Sequence, residues 1–300
     1  MRPSYPFSRR IERRTRYGGI VRVIERFCRG KRADQSLNED GLVITDGFAA
    51  VVDGVTSKSV RHLWQPSGGV VARGLLIEAV GTLPRNATMR ETQMTLDRRL
   101  RAEYARSDAD ESVFVNEPWE RLQANAVVYS AAHREAWLFG DCQIMVNGVQ
   151  TPTLKRVDEL LGELRSFAAQ GLQLRALRKG EGASPAPSEP SDDPAREMIL
   201  PFLRLQSQFA NRRGEYGYFV FDGFTDPAYP IRVVPIRPGD EVVLASDGYP
   251  LLRPTLADSE RELERLRRED PQLIHEYCST KGFTAGLASF DDRTYLRFIA

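Results

Sequence analysis

A chain of 300 residues with 41% hydrophobic, 9% aromatic and 28% charged side chains holds enough apolar material for one large domain or two modest ones. That composition excludes disorder as the dominant state and excludes collagen-like and repeat-fibre architectures. Charge balances at 42 basic against 41 acidic residues, a net of +1. A nucleic-acid partner would therefore need a local basic stripe.

The one dense stripe of this kind is N-terminal: Arg2, Arg9, Arg10, Arg13, Arg14 and Arg16. Residues 1–18 read as a loose basic arm ahead of a single domain over 19–300, and a solvated arm is the expectation, with nucleic acid not expected as a partner. Ser8-Arg9-Arg10 leads into charged Ile11-Glu12-Arg13-Arg14 rather than an apolar stretch, which argues against an export signal. No run reaches the roughly 18 apolar residues of a membrane span, so no membrane partner is expected. Cys28, Cys142 and Cys278 are too few and too scattered for a disulfide framework or a zinc site, and read as free thiols in a reducing cytoplasm. Lys31, Lys58, Lys155, Lys179 and Lys281 are the only lysines, which reads as a coding bias toward arginine.

In chain order, Gly41–Ile44 and Phe48–Val52 are apolar runs around Asp46-Gly47, the signature of a hairpin. The second run does not alternate and reads as buried on both faces. Helical periodicity follows over Gly68–Val80 and Thr88–Ala105. Strands are expected at Ala124–Ala131, Ala136–Phe139 and Cys142–Val146, with Asn147-Gly148 as a turn. Two more helices are expected over Leu154–Leu172 and Ala195–Phe209. The Pro-, Ser- and acid-rich segment 180–194 between them reads as a mobile surface loop. Strands are then expected at Tyr216–Phe221, Ile231–Ile236 and Glu241–Ala245, helices at Leu256–Arg268 and Leu273–Cys278, and a closing strand at Thr294–Ile299. Runs of strands alternating with pairs of helices imply an α+β layered domain with antiparallel sheets.

Three histidines (His62, His133 and His275) and no Gly-x-Ser-x-Gly give a serine-hydrolase triad little support, and no phosphate-binding glycine loop is present. Acid placed after apolar strands is the distinctive feature: Asp53-Gly54, Asp141, Asp247-Gly248, Asp291-Asp292, and Glu39-Asp40 at the hairpin's opening. A carboxylate at a buried strand end needs a cation, a donor network or water. With no histidine or cysteine cluster, this set suits a hard cation with oxygen ligands, Mg²⁺ or Mn²⁺.

Asn38-Glu39-Asp40-Gly41 with Phe48–Gly54 resembles the opening of the metal-dependent serine/threonine protein phosphatases of type 2C. Trp137-Leu138-Phe139-Gly140-Asp141, Leu244-Ala245-Ser246-Asp247-Gly248 and Asp291-Asp292-Arg293-Thr294 are similar to that family's later motifs, in family order. The resemblance implies a four-layer α-β-β-α sandwich, two stacked antiparallel sheets flanked by helix pairs. It implies two Mg²⁺ or Mn²⁺ ions: Asp53 bridging both and the Gly54 carbonyl joining one of them, with Asp247 and Asp291 on the first and Glu39 and Asp40 serving the second, directly or through water. Asp141 with Asp247 would take a third, weaker ion. The implied activity is hydrolysis of phosphoserine or phosphothreonine in a protein substrate by a water shared between the ions, with Asp53, Asp247 and Asp291 the catalytic carboxylates.

The chain departs from the family pattern at two places. Gln35 stands where the family has a phosphate-gripping arginine, leaving Lys31 or Arg32 of the same loop as substitutes, and Leu251 stands where many members have an aspartate. Both departures favour an alternative, a catalytically weakened type 2C-like domain serving as a binding or regulatory module.

Overall fold

The computed structural model describes residues 21–180 and 193–300. The basic arm 1–18 and nearly all of the segment 180–194 lie outside the described residues. Asp40–Ile44 and Phe48–Gly54 form the expected hairpin, with Ile44 opposite Ala49 and Asp40 opposite Asp53. In chain order the strands are β1 (Arg22–Arg29), β2 (Asp40–Ile44), β3 (Phe48–Gly54), β4 (Ala124–Ser130), β5 (Glu135–Phe139), β6 (Gln143–Val146), β7 (Val149–Thr151), β8 (Arg232–Pro235), β9 (Glu241–Ala245) and β10 (Arg293–Ile299). They form two five-stranded sheets, ordered β1-β10-β9-β6-β7 and β2-β3-β4-β5-β8. Every pairing is antiparallel. The α+β class and the two stacked sheets stand as the sequence implies.

Side-chain alternation along the strands builds the layers. Val51, Val127 and Leu138 of one sheet meet Val242, Leu244, Leu296 and Phe298 of the other in the inner core. The other face of β3–β5, with Phe48, Val52, Val128 and Trp137, packs on Leu76, Leu96 and Leu100. Those leucines belong to α1 (Gly68–Gly81) and α2 (Met89–Tyr104). This is why Phe48–Val52 is apolar without alternating: both of its faces are buried. Ser67 caps α1 by accepting from Val70 N, and Thr88 with Glu91 forms a capping box on α2. A short α3 (Glu111–Asn116) follows.

Beyond the first sheet, Met145, Val243 and Tyr295 pack with Tyr249, Leu252 and Leu256, the last opening α6 (Leu256–Glu269). The pair α4 (Arg156–Arg178) and α5 (Pro194–Leu205) packs through Val157, Leu161, Ile199 and Leu203 onto Tyr218 and Val220. Among the described residues no helix is long and apolar enough to cross a membrane.

Two expected elements take other forms. Tyr216–Phe221 is not a strand; it makes isolated bridges, Phe221 with Ala124 and Tyr218 with Ala210. Its side chains are claimed by two different cores, Phe219 and Phe221 by one and Tyr218 and Val220 by the other. Asn211 further diverts its backbone, donating to Val220 O and accepting from Val220 N. Leu273–Cys278 is not helical. The Asp270 carboxylate accepts from the N–H groups of Ile274, His275 and Glu276 at 3.1, 2.9 and 3.1 Å, a side-chain substitute for helical carbonyls. Leu273 itself sits at φ +51°.

Candidate active site

The strand ends that carry acid converge at one end of the sandwich. Asp53, near the end of β3, is flanked in register by Asp40 on β2 and Asn125 on β4. Directly opposed residues of an antiparallel pair hold their Cβ atoms about 4.5–5.5 Å apart, and like charges there repel. Asp141 follows β5 through Gly140, whose φ of +101° suits glycine and where a Cβ would strike the Asn125 side chain. Asp247 follows β9, and Asp291 precedes β10. At Gly54 a Cβ would collide with the Gly69 carbonyl, so glycine lets β3 meet the start of α1.

A cavity of about 630 Å³ opens on this end. Glu39, Asp40, Asp53 and Gly54 line it from the hairpin, and Asp141, Asp247 and Asp291 from the other strand ends. The electrostatics follow from that crowding. Burial, then repulsion from Asp247, Asp40, Asp141 and Asp291, pushes the Asp53 carboxyl far above the usual range. Burial and the charges of Asp292, Asp291 and Asp247 push Asp40 up likewise, against a hydrogen bond from Ser246. Asp247 is pushed up to about 7 by burial, Asp291 and Asp141. Asp291 goes the other way: burial opposes its ionisation, but Lys281 and Lys31 more than offset it.

Lysines supply the positive charge. Lys155 Nζ lies 2.6 Å from Asp141, and Lys31 Nζ lies 3.0 Å from Asp291, 3.4 Å from Glu39 and 3.6 Å from Asp292. Lys281 pairs with Asp291. With Lys58, which also lines the cavity, four of the chain's five lysines stand at this one site. Coding bias alone does not explain that placement. A compact ammonium among carboxylates has a local electrostatic cause.

The residues fit a hard divalent cation by donor chemistry. Asp40 Oδ2, Asn125 Oδ1 and Asp141 Oδ1 are buried without a hydrogen-bond partner, and such oxygens are costly to leave unsatisfied. Soft donors are few: no histidine lines the cavity, Cys278 is the one cysteine on its wall, and burial holds the nearby Cys142 thiol far above its usual range and so neutral. Among the described residues, no three His, Cys, Asp or Glu side chains are already gathered as a ligand cage. A cation would therefore have to draw the carboxylates inward from their lysine partners.

The loop after β1 does a different job from the one expected of it. Gln35 accepts from Gly30 N at 2.8 Å and donates to Arg32 O at 2.6 Å, so it staples its own loop. Neither Gln35 nor Arg32 lines the cavity, and Arg32 borders a second one of about 910 Å³. Lys31, which borders that second cavity too, turns its ammonium to Asp291, Glu39 and Asp292. Asp292 accepts from the N–H groups of Lys31 and Glu39 at 2.7 and 2.8 Å, so of the Asp291-Asp292 pair it is the brace. Leu251 packs against a core of Leu263, Leu266, Phe283 and Phe290, away from the cavity.

Sequence reasoning missed Asn125, Lys58, Lys155, Lys281 and Asp158, all of which line the cavity. Asn125 had a signal, the one polar residue inside the apolar run Ala124–Val128, and the scarcity of lysine was a second.

No family model matches the chain, and no curated protein matches it. Among solved structures it is similar to the serine/threonine phosphatase PstP/Ppp of Mycobacterium tuberculosis, at 15% identity and a TM-score of 0.44 over 92% of this chain and 98% of that one. The catalytic domain of PstP in complex with 2 manganese ions gives 14% identity and a TM-score of 0.45 over 92% and 98%. Serine/threonine phosphatase Stp1 of Staphylococcus aureus gives 13% and 0.44 over 95% and 98%.

Proposed function

We propose that this chain is a type 2C-like phosphomonoester hydrolase dependent on Mg²⁺ or Mn²⁺, acting on phosphoserine or phosphothreonine in a protein substrate. One observation carries the reading: carboxylates from five separate strand ends share a cavity in which Asp53, Asp40 and Asp247 resist ionisation and three buried oxygens lack partners. Such an arrangement is expensive unless positive charge enters it. Asp53, Asp247 and Asp291 would hold one cation, Asp53, Glu39, Asp40 and the Gly54 carbonyl a second, and Asp141 with Asp247 a weaker third. Bound there, divalent cations supply neutralisation of the phosphoryl oxygens and acidification of the attacking water.

The protein's own groups do the rest. Thr56 and Ser67 donate to the two oxygens of Glu39 at 2.8 and 2.7 Å, fixing that carboxylate's orientation. Asp292 fixes the loop that carries Glu39 and Lys31. No histidine lines the cavity to activate its one thiol, Cys278, which fits attack on phosphorus by water, with release of the serine or threonine alcohol. A second reading, a weakened domain that binds without turnover, is favoured by the lysines already paired with Asp291 and Asp141.

The test is turnover of an aryl phosphate and of a phosphothreonine peptide with Mn²⁺, and again with excess chelator. Turnover in both substrates that chelator abolishes is expected. Mn²⁺ binding without turnover would instead establish the binding module.

A further inference from the structure

The proposed reaction needs cationic groups for the phosphoryl oxygens, and the loop that was expected to provide them is otherwise engaged. Gln35 and Arg32 lie outside the cavity, and the Lys31 ammonium is surrounded by three carboxylates. We propose that Lys58, in the loop after β3, and Arg196, in the first turn of α5, form the wall of this cavity that grips the substrate's phosphoryl group. This rests on the phosphomonoesterase reading above.

Both residues line the cavity into which Asp53 and Asp247 open. The other two lysines of the cavity wall, Lys155 and Lys281, each have a carboxylate within 4.0 Å, whereas Lys58 has no ion pair and no side-chain hydrogen bond among the described residues. Arg196 makes no ion pair there either; its one side-chain bond runs to the Thr280 carbonyl, which leaves most of its five donors free. Two half-buried cations thus face the same space with no carboxylate in ion-pair range of either, although Asp158 acts on Lys58, and Asp291 and Asp193 on Arg196, from farther off. Burial and then the Arg196 charge push the Lys58 ammonium down to about 8, and burial and Arg165 lower Arg196. An anion between them would relieve the desolvation and the repulsion together. A planar fork beside a point charge matches the tetrahedral dianion of a phosphomonoester, by charge-assisted hydrogen bonds.

The experiment titrates inorganic phosphate into the Mg²⁺-loaded full chain by calorimetry, for the unaltered protein and for Lys58→Ala, Arg196→Lys and Arg32→Ala. Lys58→Ala and Arg196→Lys are expected to weaken phosphate about tenfold or more each, the loss of one charge-assisted contact. Arg32→Ala should leave the affinity within twofold. The Lys58→Ala protein should melt no lower than the unaltered one, because a cation without a partner contributes nothing to the fold; a structural role would lower it. Phosphate affinity within twofold in both cavity variants, or no phosphate binding by the unaltered protein, overturns the proposal. If the affinities fall as expected but no phosphopeptide is hydrolysed, the grip stands and the hydrolase reading fails. Metal-dependent turnover with unchanged affinities leaves the hydrolase reading standing and removes the grip.

Discussion

Asp53→Asn is expected to lower metal-dependent kcat/KM by about 10³-fold or more, roughly 4 kcal/mol of barrier, while making the metal-free protein more stable. The two effects have one cause. Asp53 is the carboxylate on which Asp247, Asp40, Asp141 and Asp291 all act, and its neighbours in register are Asp40 and Asn125. Without cations its buried carboxyl is a burden to the fold, and in the proposed arrangement it would be the ligand common to both ions. An amide removes the charge and brings N–H donors beside Asn125 Oδ1, an oxygen that now lacks a partner. A gain of roughly 1–3 kcal/mol in chelator follows from removing a buried carboxyl that must either take up a proton or carry an uncompensated charge on folding. Melting curves with chelator and with Mg²⁺ read this directly. The unaltered protein should be stabilised by Mg²⁺ through binding to the folded state, and the variant should be stabilised much less. A variant less stable than its parent in chelator would show that Asp53 is a structural hydrogen-bonding residue.

Arg165→Ala should cost about 3–5 kcal/mol of stability, the usual penalty for breaking a buried ion pair from one side. Arg165 is only 2% exposed. On α4 it binds Asp193 at 2.5 and 2.9 Å, Gln272 O at 2.7 Å and Ser279 O at 3.1 Å. Asp193 in turn caps α5 by accepting from Arg196 N at 3.0 Å. One guanidinium therefore ties α4, the start of α5 and the 272–279 segment into one cavity wall. Truncation leaves Asp193 buried without its cation and two carbonyls without donors. Denaturant unfolding gives the number; a loss under about 1 kcal/mol would mean that this wall is held by its apolar contacts, such as Ala168, Ala169 and Ile274.

What could be read from the sequence was what is local. The β2–β3 hairpin follows from Asp46-Gly47 between two apolar runs, and α1 and α2 from their periodicity and the caps Ser67 and Thr88. The acids at strand ends were visible for the same reason, since each stands beside an apolar run. What stayed hidden depends on particular side-chain contacts, near or distant in sequence, that no apolar pattern records. Tyr216–Phe221 has strand composition, yet two cores divide its side chains and Asn211 takes its backbone. Leu273–Cys278 looked helical until Asp270 supplied the acceptors. Lys155 and Lys281 carry no local sign of their place in the sequence, and only the fold carries them to Asp141 and Asp291. The Gln35 side chain likewise reads as a missing arginine until its bonds to Gly30 and Arg32 reveal a staple.

The most direct measurement is anomalous scattering from crystals grown with Mn²⁺, collected near the manganese edge. Two peaks are expected in the cavity, both within coordination distance of Asp53, one also bound by Asp247 and Asp291 and the other by the Gly54 carbonyl. A cavity without peaks at saturating Mn²⁺, with Lys31, Lys155 and Lys281 still paired to their carboxylates, would contradict the metal-dependent reading.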